Sequence, residues 1–359
     1  MNAVKPNAIG GELLARLPLT PDAYPQAVDL VRGRVLVVRL DANGYRAASF
    51  LDDRILGPAT QGAWLVFPGV AEAARQVTSP RPLHYIFHTG HVGSTLVSRL
   101  LDETGVLLSL REPLPLRTIA DAHDALGKPE SLQSESQFVA LLDTMLCLWS
   151  RGYDWTRAVV VKATSTAGRA AAPLLAARPE SRAIYLNLRA EPYLATLLGG
   201  PNSATDLRGH GPGRILRLQA RCRNPIQPLH RLSPGELAAL GWLVETMALA
   251  DAVRLHPGRV LDIDFGELLD DIPAGMERIV SHLGLPRDPR YLAGIGRSPV
   301  LQRYSKAPEL PFPPGERAAR LEESRRLHRD EITSGRTWLG ALARTEEAVA
   351  DVLSAAGGP

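Results

Sequence analysis

The sequence predicts an α/β fold with a central, mostly parallel sheet of about five strands, and three observations carry that reading. Five short runs rich in Val, Ile and Leu recur along the chain, separated by segments whose apolar residues have helical spacing. The runs show little strict alternation, as strands covered on both faces should. The first run passes directly into a glycine-punctuated loop and then a helix.

Residues 1–80 read as a small N-terminal extension with β content, from RVLVVRL (34–40) and AWLVFP (63–68) with a turn around Asp41, Asn43 and Gly44. Residues 81–310 hold the α/β unit. Its first strand contains Leu83, Tyr85, Ile86 and Phe87, and Leu96, Val97, Leu100 and Leu101 then recur at helical spacing. VLLSL (106–110), AVVVKA (158–163), AIYLNL (183–188) and RVLDIDF (259–265) are the later strands. Ser134 and Gln137 form a capping box ahead of FVALLDTMLCLW, a helix expected to stop near Gly152. Ser233, Pro234 and Glu236 start a longer helix that should end at His256, Pro257 and Gly258. Residues 200–235 carry Gly, Pro and Arg with little periodicity, which reads as a functional lid or a mobile loop. A proline-rich linker over 308–315 leads into a helical tail (311–359) whose Arg/Glu alternation reads as a solvated surface helix.

Composition excludes several classes. Hydrophobic residues at 45% and charged residues at 22% describe a globular chain with ample material for a core. The two cysteines, Cys147 and Cys222, are too few for a disulfide framework, and no Cys/His cluster suggests a metal. The N-terminal stretch does not read as a secretory signal and no run is apolar enough to span a membrane, so a cytoplasmic protein is expected. Basic charge is spread along the chain and aromatics are only 5%, which argues against a nucleic-acid surface. Lysine occurs only at positions 5, 128, 162 and 306, so a lysine inside an apolar strand invites a functional question.

That loop, HTGHVGST, supplies small residues between a strand and a helix. Backbone N–H groups there point outward at the positive end of the helix dipole, which makes an anion cradle with phosphate its usual guest. The GxxxxGK[ST] spacing of NTPase loops and its lysine are absent. A valine at Gly93 is expected to abolish phosphate binding and leave the protein folded.

The order of strand, HTGHVGST loop, helix, VLLSLREPLPLR, VVVKATS, YLNLRAEPYLAT and a late strand followed by FGELLDDIPAGMERIVSHLGL resembles the sulfotransferase branch of P-loop proteins, over residues 80 to 310. The resemblance implies a three-layer P-loop-type fold. It also implies 3′-phosphoadenosine 5′-phosphosulfate (PAPS) as sulfuryl donor, with no metal. Gly90, His91, Val92, Gly93, Ser94 and Thr95 would then hold the 5′-phosphosulfate, Ser94 and Thr95 adding hydroxyls to the backbone donors. Arg189 and Thr196 would hold the 3′-phosphate, the interval between them being one residue shorter than the family's. YSKAPE (304–309) would be a basic loop that closes over the nucleotide, placing Lys306, and with it the preceding Arg303, near a phosphate. His91 stands where the family carries Lys or Arg, and imidazole is only partly charged near neutral pH.

Sulfuryl transfer to a hydroxyl needs stabilisation of the equatorial and leaving oxygens and a base for the acceptor proton. Glu112, just past the second strand, stands at the sheet edge where parallel sheets place ligands, and it reads either as that base or as a loop carboxylate paired with Arg111. Lys162 ends an apolar strand, where an ammonium group needs an anion: the leaving oxygen, or a carboxylate elsewhere. His91 is the next candidate base. Arg117 and Arg169 read as surface arginines, with a place facing the cleft as the alternative, and His84 and His88 as packing residues; for Asp264, in the late strand, the resemblance implies a structural hydrogen bond. The functional expectation is sulfuryl transfer from PAPS to a hydroxyl of a carbohydrate, lipid, peptide or small molecule. A P-loop kinase or another nucleotide-dependent transferase, and a non-catalytic nucleotide-binding or scaffold protein, are the alternatives.

Overall fold

The computed structural model describes residues 8–200 and 203–358; Lys5, the start of the N-terminal stretch and positions 201–202 of the expected lid lie outside them. Three strands, β1 (Ala23–Asp29), β2 (Arg34–Arg39) and β3 (Gly62–Val66), form an antiparallel sheet in that order, matching the two runs read there as β. The expected turn at Asp41 is instead a short helix, Ala42–Ala47. Asp41 caps it by accepting the Gly44 N–H at 2.7 Å, the local bond that also makes Asp favourable in turns.

The central sheet holds β4 (Leu83–His88), β5 (Leu107–Arg111), β6 (Ala158–Lys162), β7 (Ala183–Asn187) and β8 (Val260–Asp264). All pairs are parallel and the spatial order is β5-β6-β4-β7-β8, so the five-stranded parallel sheet stands as expected. The chain runs from β4 to one edge, returns through β6, and crosses to β7 on the far side. The switch of direction therefore lies at β4, which delivers the glycine loop to the crevice above the strands' carboxyl ends.

Period-2 geometry divides the strands between two apolar layers. Ile86, Val160, Ile184 and Leu186 face one core with the helices Ala190–Leu198 and Pro234–Leu255. Tyr85, Phe87, Val159 and Val161 face the other, where Leu13, Tyr24 and Val37 of the N-terminal segment pack among the helices Leu114–Ala125 and Glu135–Trp149. Each fully buried side chain of this size contributes about 1.5–3 kcal/mol. Both capping boxes are complete: Ser134 with Gln137, and Ser233 with Glu236. The second starts a helix of 22 residues that ends at Leu255.

Two expectations need correction. Nearly half of the expected lid is one helix, Ser203–Gln219, and it buries Leu207, Gly211, Arg214 and Leu218 on one stripe. That stripe has helical spacing, but with Gly and Arg among its four members it is not an apolar pattern. Arg214 is tolerated there because Asp206 (2.6 Å) and Glu245 (3.3 Å) receive its guanidinium. The tail differs too. Residues 303–311 form a hairpin of β9 (Arg303–Tyr304) and β10 (Ala307–Pro311) where a linker was expected. Among its described side chains the helix Pro314–Leu327 deeply buries only Ser324, whereas Arg329–Ala343 buries Ile332, Trp338 and Leu339 in the core, so the solvated reading fits the first of these helices and not the second. Among the described residues no helix is long and apolar enough to cross a membrane.

Candidate active site

The loop after β4 is shaped from beneath by His88. Its Nδ1 accepts the Gly90 N–H at 3.1 Å and its Nε2 donates to the Ala163 carbonyl at 2.8 Å. Those partners require a neutral ring protonated at Nε2, and burial holds its pKa well below the ordinary value. His88 is thus buried, as expected of a packing residue, and it also fixes the turn.

Gly90 then takes φ +103°, His91 +56° and Gly93 +70°. The helix Ser94–Asp102 begins on Gly93 with no side-chain cap, so its first N–H groups have no side-chain acceptor. Thr95 Oγ1 and Thr89 Oγ1 are buried without a hydrogen-bond partner. A buried hydroxyl left unpaired beside uncapped backbone donors suits an anion that would satisfy both. Val92 points into the core and anchors the loop, so only its backbone is available. Gly93 has no room for a side chain: a Cβ there would lie 2.0 Å from the Phe265 ring.

Glu112 and Lys162 meet as an ion pair, and the Glu112 N–H donates to the Lys162 carbonyl at 2.7 Å. The carboxylate is the anion that an ammonium in an apolar strand requires, and Glu112 pairs with Lys162 where Arg111 was the expected partner. Burial lowers the Lys162 pKa and the Glu112 carboxylate opposes that shift. Arg111 is engaged elsewhere: fully buried, it pairs with Asp102 and donates to Ser98 Oγ at 3.0 Å and the Ala48 carbonyl at 2.8 Å. Among the described residues only two non-glycines have positive φ, His91 and Glu112 at +52°, and both stand here.

His91 is neutral. Burial, with Lys306 and Arg214 adding to it, pushes its pKa down to about 4 against the pull of Asp206 and Glu112. The same interactions locate three elements around the loop: the β9–β10 hairpin through Lys306, the Ser203–Gln219 helix through Asp206 and Arg214, and the end of β5 through Glu112. Lys306 is exposed at the hairpin turn, and its charge also reaches His88 and Lys162. Arg99 ties that hairpin to the loop helix by donating to the Ser305 carbonyl at 2.8 Å.

Arg189 and Thr196 stand on the neighbouring helix, Ala190–Leu198, whose Tyr193 hydroxyl is 3.8 Å from where a Gly90 side chain would begin. Arg189 is its exposed N-cap, alongside Gly357. The Thr196 hydroxyl donates within the helix to the Pro192 carbonyl at 2.7 Å, leaving its lone pairs but not its proton for another group. Asp264 accepts the Gly266 N–H at 2.7 Å and the Glu267 N–H at 3.1 Å. Arg169 is mostly buried and pairs with Asp121 and Asp124, whereas Arg117, more exposed, reaches Asp52 at 3.3 Å. Sequence reasoning missed His88 as a loop anchor, Ser165 within reach of Gly90, and Phe50, whose ring centroid is 5.9 Å from Lys162 Nζ. Only Ser165, just past a strand's carboxyl end, had a positional signal.

Six of the nine histidines, His84, His88, His91, His123, His210 and His282, have pKa values lowered mainly by burial. The unfolded chain binds protons at these positions before the fold does. Stability is therefore complete above the ordinary histidine value and is lost as pH falls through it toward the folded values. His84, lowered to about 4, alone accounts for about 2 kcal/mol of that loss at pH 5. Guanidinium unfolding should show lower stability at pH 5 than at pH 7.5, and His84→Gln should flatten the difference.

No protein-family model matches the sequence, and no curated protein matches it. Solved structures do match. The chain is similar to the sulfotransferase domain from the curacin biosynthetic pathway, with 13% identity over 79% of this chain and 99% of that one, at a TM-score of 0.42. It is similar to mouse sulfotransferase SULT7A1 complexed with PAP, with 11% identity over 64% of this chain and 68% of that one, at 0.34. For sulfotransferase STF9 from Mycobacterium avium the values are 12%, 92%, 98% and 0.37. All three are sulfotransferases.

Proposed function

We propose that this chain transfers the sulfuryl group of PAPS to a hydroxyl of an acceptor. The observation that carries the reading is the pairing of an uncapped, glycine-turned anion cradle with a buried Glu112–Lys162 pair at the same sheet edge. The residues present fit the donor's 5′ end: the N–H groups at the start of the Ser94 helix and the unpaired Thr95 hydroxyl offer what a phosphosulfate needs. Arg189, exposed one strand away, would take the 3′-phosphate with Thr196 as an acceptor-only neighbour, and Lys306 would close the hairpin side.

The donor supplies an activated sulfuryl group; the rest is positioning by the chain. Glu112 removes the proton from the acceptor hydroxyl as the new S–O bond forms and the bond to the phosphate oxygen breaks. Lys162 balances negative charge at the departing oxygen and holds Glu112 in place before the reaction. His91, uncharged, offers a hydrogen bond and adds no positive field. That neutrality favours a second reading, a protein that binds the nucleotide and transfers nothing.

The test is thermal shift with PAP, PAPS, ATP and GTP, since a ligand that binds only the folded state raises the midpoint. PAP and PAPS should stabilise and ATP and GTP should not; the reverse order would return the site to a kinase-like nucleotide. Arg189→Ala should weaken PAP by about 1.5–3 kcal/mol and leave adenosine 5′-phosphosulfate, which lacks the 3′-phosphate, nearly unaffected. Equal losses would place Arg189 away from that phosphate. PAP binding without transfer to any of a broad panel of hydroxyl compounds would select the binding-only reading.

A further inference from the structure

The N-terminal segment reaches the pair itself. Leu51 donates its N–H to the Arg111 carbonyl at 2.6 Å, and Tyr24 holds the Leu51 carbonyl at 3.1 Å, so the chain around residue 50 is clamped beside the residue that precedes Glu112. Phe50 extends from that clamp. The Arg54 guanidinium lies over its ring, 3.4 Å from the centroid, and the Lys162 ammonium is 5.9 Å from the same centroid. Asp52 receives Arg54 through two bonds, at 2.8 and 2.6 Å, and Arg117 through one at 3.3 Å. Two guanidinium groups thus share one carboxylate and leave one positive charge in excess. Both side chains keep more than a third of their surface in solvent, 55% for Arg54 and 38% for Arg117. The field of Arg117 also reaches His210 on the Ser203–Gln219 helix, the element that flanks His91.

We propose that Phe50, Arg54 and Arg117 form the acceptor wall of the site and that the acceptor is an anionic hydroxyl compound, its oxyanion bound by the two arginines. This rests on the Glu112–Lys162 centre proposed above. The Arg54 and Lys162 charges lie 3.4 and 5.9 Å from the same ring centroid, so the anionic group and the reacting hydroxyl belong to one small molecule, as in a hydroxyaryl or sugar acid. Stacking and the Asp52 bonds hold Arg54 in place before any ligand arrives, so little side-chain entropy is lost on binding. A guanidinium pair matches carboxylate, sulfate and phosphate oxygens alike.

The experiment measures binding by calorimetry, without turnover, for matched probes: 4-hydroxybenzoate against its methyl ester, 4-hydroxyphenyl phosphate against hydroquinone, and glucuronate against glucose. At least one anion should bind about tenfold or more tightly than its neutral partner, and the member that does so identifies which oxyanion is used. The preference should shrink as salt rises. Arg54→Ala/Arg117→Ala should abolish the preference, and Arg54→Lys/Arg117→Lys should restore part of it. Both double variants should keep the parent PAP shift; the alanine variant should unfold at a lower midpoint, because it leaves the buried Asp52 carboxylate without its two cations, and the lysine variant should recover part of that loss. Equal binding of anion and neutral partner throughout, or a preference that survives Arg54→Ala/Arg117→Ala, would overturn the proposal. A missing PAP shift in the parent protein would instead count against PAPS as donor and leave the acceptor result standing.

Discussion

Glu112→Gln should lower sulfuryl transfer by about two to four orders of magnitude, the range for losing general-base assistance, with PAP affinity nearly unchanged. Glutamine keeps a carbonyl oxygen for the Lys162 ammonium, so the variant should stay folded. Glu112→Ala separates the two roles of the carboxylate. It leaves a lysine that is 1% exposed without its anion, and breaking a buried pair in this way costs about 3–5 kcal/mol. Turnover should thus fall in both variants and stability mainly in the alanine one. Lys162→Ala should reduce turnover and PAP affinity together, since its charge faces an anion both before and during transfer. Radiolabelled PAPS with a responsive acceptor gives the rates, and denaturant unfolding gives the stabilities. Parent-rate transfer by Glu112→Gln would move the base elsewhere. His91 would be next, and because its pKa is near 4 the rate would then show no base limb at neutral pH.

Gly93→Ala should destabilise the protein by about 3 kcal/mol or more, combining a left-handed backbone that resists a side chain with a steric clash in a packed core. The clash has one named partner, the ring of Phe265, which is itself 4% exposed and lies under the Arg317 guanidinium at 5.0 Å. The sequence led to the expectation that even valine would leave the fold intact and remove only phosphate binding. The structure revises it: the position that opens the loop to a ligand on one side supports the late strand's exit on the other. Phe265→Ala alone should cost about 3–5 kcal/mol by opening a cavity. In the double variant the new methyl enters vacated space, so the total should be smaller than the sum of the single losses by at least ~1 kcal/mol. Strict additivity in urea unfolding would mean that the ring and residue 93 do not touch.

Much of the sheet was legible because its signals are local. Apolar runs such as AVVVK, a glycine-turned connection and two capping boxes each act within a few residues, and each appears where it was read. The Ser203–Gln219 helix was not legible. Its buried stripe includes Arg214, and what makes that acceptable is Glu245, 31 positions away on a helix that lies against it. The hairpin at 303–311 escaped for a related reason: a two-residue strand has too few side chains to carry a pattern.

At the candidate site, the sequence by itself determined which groups are present: the small residues of the loop, Glu112 beyond one strand and Lys162 ending another. Their types followed from local chemistry, since an ammonium in an apolar strand demands an anion wherever the strand lies. Only the tertiary structure decided that the anion is Glu112, that Phe265 closes against Gly93, and that Phe50 stands near Lys162 with the Arg54 guanidinium over its ring. Those contacts depend on strand order and on how separate segments pack around the sheet. Periodicity records which face of an element is buried, but it carries no record of what that face will meet.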